Sequence, residues 1–156
     1  MKYYNATIRN LSYRLRKFRD ILDDELKQEI KRNEEVIIRM ITENQLYERG
    51  VEGKGIPIMS YQPYTAATVR IKRYKGQPTD RVTLRDTGEF YKSLHVEFDD
   101  KGFYVTSTDD KAPELLEKYG QTIFRLTNEN FTDLVRNYIR PSLAEKLKKR
   151  ILNERT

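Results

Sequence analysis

Hydrophobic residues in the first third of the chain recur at spacings of three and four. Leu11, Leu15, Phe18, Leu22, Leu26 and Ile30 form one such stripe, and Val36, Ile37, Met40 and Ile41 extend it. That spacing places the apolar side chains on one face of a 3.6-residue turn. No Pro or Gly interrupts the pattern before Gly50. One long helix is predicted, or two with a break near Asn33-Glu34. Strict heptads are not sustained, which favours a helix packed on a core over a coiled coil.

From Gly50 to Asp80 the pattern is lost. This stretch holds most of the chain's Gly and three of its five Pro. Such punctuation forbids continuous helix and predicts an extended loop or arm over 50–80. Within it, "YTAATVRIKRYKG" reads as a short helix, or as a strand through Val69 and Ile71.

The second half is patterned again. Asp86 is expected to cap a short helix, with Glu89 three residues on as a capping-box acid and Phe90 and Leu94 on one face. Gly88 allows a tight entry into that helix. Val96, Phe98, Phe103 and Val105 alternate with more polar positions across "DDKG", which predicts a β-hairpin turning at Gly102. "KAPELLEKYG" places Pro near a helix start and Gly past its end. "TIFRLT" reads as a brief extended link. Thr127 is expected to cap a last helix that buries Phe131, Leu134, Tyr138, Leu143, Leu147 and Ile151, kinked or restarted near Pro141. The fold class expected is α+β, in one domain over 1–156: a long N-terminal helix, a small antiparallel sheet with a hairpin, the arm, and a C-terminal helix.

Composition adds that the core is lean. Of 156 residues 37% are apolar and 35% charged, so eleven Tyr and six Phe must carry much of the burial. The absence of Cys excludes disulfides, thiolate metal sites and a Cys nucleophile. No apolar run approaches the roughly 20 residues of a membrane span, and the N-terminus lacks the apolar core of a signal peptide.

The net charge is +6, and it is unevenly spread. Met1–Arg19 has six bases and no acid, and Val69–Arg85 six bases against Asp80. Asp86–Glu117 reverses this with nine acids against three lysines, and Arg136–Arg155 has seven bases and two acids. Three explanations stand open: nucleic-acid binding, a subunit whose basic face meets a neighbour's acidic face, and ordinary solvated surface.

Asp86-Thr87-Gly88 matches the tripeptide that carries the catalytic carboxylate of retroviral-type aspartic proteases. Here Arg85 precedes it, a helix-like "EFYKSL" follows, and no second motif of paired aliphatics before a Gly exists. Paired carboxylates that share a proton do not tolerate flanking arginines well. Helix capping explains Asp86 with less. The single histidine, His95, has no activating partner motif, and Asp99-Asp100 and Asp109-Asp110 lack the alternate-position ligands of a calcium loop. No phosphate-binding Gly-rich loop or zinc spacing occurs. No residue is therefore assigned to catalysis, a cofactor or a metal. The basic cluster Arg70, Lys72, Arg73, Tyr74 and Lys75 could pair phosphate contacts with base stacking. A charged loop tip explains it equally.

Taken as one unit, "YTAATVRIKRYKGQPTDRVTLRDTGEFYKSL" resembles tailed-phage tail-completion proteins, the virion-morphogenesis group of head-to-tail neck proteins. These show a Ser/Thr-rich phrase, a basic segment, and an aliphatic residue before Asp-Thr-Gly. A hydrophobe, a Ser-Leu or Ser-Ile, and a β-hairpin follow. The matching positions are Thr65 and Thr68, Arg70 to Lys75, then Leu84, Asp86, Thr87, Gly88, Phe90, Ser93 and Leu94. Downstream, "LLEKYGQTIFRLTNENF" is similar, with Glu117 and Gly120 in place but Ile123-Phe124 where Pro-Phe is common. The resemblance covers roughly residues 60 to 150. It implies a structural subunit of a homo-oligomeric ring at the neck or tail end, made in the bacterial cytoplasm and resident in the virion, without catalysis or cofactor. Arg70–Lys75 would face a neighbouring subunit or packaged DNA. Other connector, portal-proximal or tail proteins would be its partners, and no membrane would be involved.

Overall fold

The computed structural model describes residues 8–153, and the side chains of Leu11 and Ile151, both placed on predicted stripes, lie outside the described ones. The architecture is mixed helix and sheet, as the patterning predicts. Helix α1 spans Ile8–Arg32 and α2 spans Glu34–Arg39. The break falls at Asn33, whose φ of −96° and ψ of 15° leave helical geometry. Its side chain donates to the Glu29 carbonyl at 2.9 Å, competing with the helical ladder. After α2 the helix widens into π turns over Met40–Arg49 and stops at Gly50, which is left-handed at φ 63°.

The apolar stripe divides at mid-helix. Ile30, Ile37, Met40 and Ile41 are buried, but Leu15 and Phe18 stay 61% and 42% exposed. Only the second half of α1 packs on the core, so the expectation of a core helix holds for about half its length.

The sheet is one antiparallel hairpin, β1 (Leu94–Phe98) and β2 (Phe103–Ser107), with Val96 opposite Val105. Leu94, Val96 and Val105 face the core. Asp99 closes the turn by accepting from the backbone N–H groups of Lys101 and Gly102. The outer edge of β1 is satisfied by the α1–α2 junction. Val96 N–H donates to Glu34 at 2.7 Å, and Lys31 Nζ reaches the Val96 carbonyl at 3.4 Å. Burial pushes the Glu34 carboxyl up, but the hydrogen bonds from Lys31 and Val96 and the Lys31 charge outweigh it and hold it low.

The segment 50–80, read as an extended loop or arm, is tied down to the body. Val51 pairs with Pro57, Ile58 is fully buried, and residues 66–74 form a helix, α3 (Ala66–Tyr74), capped by Thr65. Gly53 N–H donates to the Thr122 carbonyl at 2.9 Å, and Tyr61 to that of Tyr119 at 3.2 Å. Hydrogen-bond partners far along the chain decide this, and Gly and Pro counts say nothing of them.

A four-residue helix α4 (Glu89–Lys92) precedes the hairpin and α5 (Ala112–Tyr119) follows it. The expected extended link "TIFRLT" is a 3₁₀ turn over Gln121–Phe124. It buries Ile123 completely and stacks Phe124 on Phe90 at 5.9 Å.

The last helical run begins at Thr127, whose hydroxyl accepts from the Asn130 N–H at 3.2 Å, as expected of the cap. It comprises α6 (Asn128–Asp133), π turns over Leu134–Ile139, and α7 (Arg140–Asn153). The irregularity expected near Pro141 is this widened stretch just before it. Proline lacks the N–H that the regular ladder needs, and π turns shift that ladder. Leu134 is 1% exposed, but Phe131, expected in the core, is 47% exposed.

Two polar clusters join the ends of the chain. Gln45, fully buried, donates to the Arg125 carbonyl and accepts from Thr127 N–H and from Asn130, which also bonds the Met40 carbonyl. Between α1 and α7, Lys146 bonds Glu29, while Arg150 sits 3.3 Å from Glu25 and Arg32 2.8 Å from Glu29. Burial raises the Glu29 pKa, yet hydrogen bonds from Lys146 and Ser142 and the nearby charges bring it below the ordinary value. Among the described residues no buried side-chain nitrogen or oxygen lacks a partner.

Candidate functional site

The segment leading into Asp86-Thr87-Gly88 meets α3 at Thr83, whose hydroxyl lies 3.5 Å from the Lys72 ammonium. Thr83 is fully buried. Its N–H donates to the Tyr64 hydroxyl at 2.9 Å, and its carbonyl accepts from the Tyr91 hydroxyl. Its own hydroxyl accepts from Arg85 N–H at 3.3 Å. Burial pushes the Tyr91 phenol far up, reinforced by the Glu43 carboxylate, so it stays a donor at any physiological pH.

Leu84 follows with φ 52°, the one described non-glycine residue in left-handed backbone. That conformation costs a side-chain-bearing residue about 1–2 kcal/mol. The hydrogen bonds on Thr83 and Arg85, immediately either side, hold it there. The kink turns the chain so that Arg85 lies over the rings of Tyr47 (4.9 Å) and Tyr91 (5.8 Å), with Glu43 at 3.7 Å.

Lys72 was expected at a subunit or DNA interface, and it points the other way. It is 7% exposed, and its ammonium donates to the Arg85 carbonyl at 2.8 Å and the Gln77 side chain at 3.0 Å. It also lies 5.1 Å from the Tyr64 ring centre. On a helix, Thr68 and Lys72 share a face at i and i+4, and that face turns inward. The spacing was available in the sequence once α3 was taken as helix. Arg70, Arg73 and Lys75 are exposed, and Tyr74 is 93% exposed, so the rest of the cluster does reach solvent.

Asp86 is not the helix cap. Residue 88 occupies that position, with Gly88 at φ 94° and no side-chain capping bond. Asp86 instead pairs with Lys75, and the Gln77 side chain donates to the Asp86 carbonyl at 2.8 Å. The hydrogen bond from Lys75 holds the Asp86 carboxyl below its usual range, more than its slight burial raises it. Glu89, the expected capping-box acid, pairs with Lys92 at 2.9 Å. Thr87 supplies a long contact, 3.4 Å, to the Glu89 N–H. Phe90 and Leu94 are buried as expected and anchor the motif to the core. In chemical terms Asp-Thr-Gly here latches α3 to the start of the hairpin.

A cleft of roughly 600 Å³ opens beside this latch, bordered by Tyr64, Leu84, Asp86, Phe90, Asp109 and Lys111. Three of its carboxylates are engaged locally: Asp86 with Lys75, Glu89 with Lys92, and Asp109 with the Lys111 N–H at 2.8 Å. His95 lies away on β1, bonded to the Ser93 carbonyl and to Glu97 at 3.2 Å. The Ser93 contact, then Glu97, raises its pKa. Among the described residues no group of three or more His, Asp or Glu side chains is arranged to hold a metal ion. No described helix is long and apolar enough to cross a membrane.

No family model, curated protein or solved structure matches this chain.

Proposed function

We propose that this chain is a structural subunit of a tailed-phage virion, assembling as a ring in the head-to-tail connector, neck or tail-completion region. The observation that carries the oligomer is apolar surface left open at two separate places: Leu15 and Phe18 on α1 stay 61% and 42% exposed, and Phe131 and Val135 on the last helical run 47% and 39%. Open apolar patches of this kind mark interaction surfaces. A ring subunit has two such faces, and head-to-tail contacts close into a ring when the rotation allows. The order of Thr-rich phrase, basic helix, aliphatic residue, Asp-Thr-Gly and hairpin supports the phage neck in particular. In that role the latch at Thr83 and Asp86 works as scaffold, holding α3 outward as a contact surface.

Quantitative mass spectrometry on gradient-purified particles of the phage that encodes the chain tests this. The expected result is presence at a small fraction of the capsid protein's abundance. Clear absence from mature particles refutes the virion role.

A second reading, DNA binding through α3, is favoured by one observation. Tyr74 is 93% exposed beside Arg70 and Arg73, a stacking surface flanked by cations. A steep fall of DNA affinity with salt, reduced by Arg70→Ala and Arg73→Ala, would support it.

A further inference from the structure

We infer that the first half of α1 is a docking helix that seats in an apolar groove on a second copy of this chain. This deepens the ring reading, and rests on it, by naming the contact. Leu15 and Phe18 form the uncovered part of the α1 stripe, 61% and 42% exposed. The groove, roughly 760 Å³, runs between α1, the hairpin turn and the C-terminal helix. Leu26, Phe98, Phe103, Leu134 and Leu143 line it, and Phe131 and Val135, 47% and 39% exposed, stand open within it.

The two features cannot meet within one chain. Leu26 is a wall of the groove, and Leu15 precedes it on the same unbroken helix, about 17 Å farther along the axis at 1.5 Å per residue. A rigid helix does not fold back over its own groove, so the stripe needs another molecule.

Charge disfavours pairing with the same helix of that molecule. Arg14, Arg16, Lys17 and Arg19 surround the stripe, with Asp20 the one acid between Ile8 and Asp20. Two such helices side by side would oppose like charges, which is costly. The groove rim carries Asp23, Asp99 and Asp100 as well as Lys27, Lys101 and Arg140. It therefore offers carboxylates to the helix without a field of one sign. An amphipathic helix laid in an apolar groove is a common recognition mode. Since each copy gives a helix and receives one, the contact is heterologous and propagates.

The test uses the full chain in sedimentation velocity over a concentration series. A donor-blocked variant, Leu15→Asp with Phe18→Asp, and an acceptor-blocked variant, Phe131→Asp with Val135→Asp, alter only exposed side chains. The wild type should form oligomers, and each variant alone should self-associate about a hundredfold more weakly or not at all. An equimolar mixture should stop at dimers, because one intact helix and one intact groove remain. The absence of native Cys makes a second readout clean. Leu15→Cys with Val135→Cys in one chain should give a disulfide ladder between copies, and neither single variant should cross-link to itself. This readout does not depend on the folding of the acceptor-blocked chain. Wild-type oligomers that survive both blocked variants would overturn the contact and leave the ring standing. A wild type that is monomeric at every concentration would overturn both. Self-cross-linking of Leu15→Cys alone would assign the stripe to helix–helix pairing and end the groove proposal.

Discussion

Replacing Lys72 by Met separates a scaffold role for the basic cluster from a nucleic-acid role. Met keeps the length and the apolar stem but removes the ammonium. The Arg85 carbonyl then loses a 2.8 Å donor and the Gln77 side chain a 3.0 Å donor, at a site where Lys72 is 7% exposed. A hydrogen bond from a charged group contributes about 1.5–3 kcal/mol and a second, weaker one about 1 kcal/mol. Release from burying a charge offsets part of this, so a net loss of about 1–3 kcal/mol is expected. At ~2–4 °C per kcal/mol for a chain of this size, Tm should fall by about 2–12 °C. Arg73→Ala, on the exposed face of α3, should stay within about 0.5 kcal/mol of wild type. Paired thermal melts and urea titrations measure both. If Lys72→Met melts with the wild type while losing DNA retention, Lys72 faces a ligand in solution and the latch account is refuted. If Lys72→Met is destabilised and Arg73→Ala is not, the two lysine- and arginine-bearing faces of α3 do different work.

Asp86→Ala should cost only about 0–1 kcal/mol, because its pair with Lys75 is solvent-exposed; a urea midpoint showing a larger loss would restore a structural role beyond that pair. Gly53→Ala puts a Cβ 2.5 Å from the Arg125 Cβ and 2.7 Å from its carbonyl oxygen, so overpacking of about 1–3 kcal/mol is expected in equilibrium unfolding. Gly55→Ala meets nothing within 4 Å and should lose only about 1–2 kcal/mol for its left-handed backbone, at φ 78°. For pH, the Glu29 carboxyl sits below its unfolded value near 4.5. Its contribution is therefore present above that value and lost as pH falls through the lower folded pKa. Glu29→Gln should flatten the acid limb of stability measured by urea unfolding at successive pH values, and an unchanged limb would show that the Lys146 contact contributes nothing.

Features that depend on near neighbours were legible before the fold was known. The break at Asn33, the hairpin alternation through Val96 and Val105, the Thr127 cap and the Pro113–Gly120 helix all follow from contacts within about one turn or one β-turn. Local backbone preferences and side-chain periodicity decide these, and both are written in consecutive residues. What failed has a common cause. Asp86 satisfies the local rule for a cap, but the helix begins two residues later, where Gly88 takes the left-handed entry at φ 94°, and Asp86 is left to pair with Lys75. Lys72 belongs to a run of bases, yet Tyr64, Thr83 and Arg85 build a pocket for it from both sides of a loop. Residues 50–80 have the composition of an arm, and backbone bonds from Gly53 to Thr122 and from Ile58 to Gly50 fold them down.

The sequence alone therefore determined the first and last helical runs, the hairpin, the lean core and the uneven charge, because each is a sum over short separations. Tertiary structure decided which half of the α1 stripe is covered, which way each base of α3 points, and where Phe131 lies. Those outcomes depend on which distant segment arrives to bury a group or pair with it. Burial and pairing energies of a few kcal/mol outweigh the smaller local preferences that a reading along the chain can weigh.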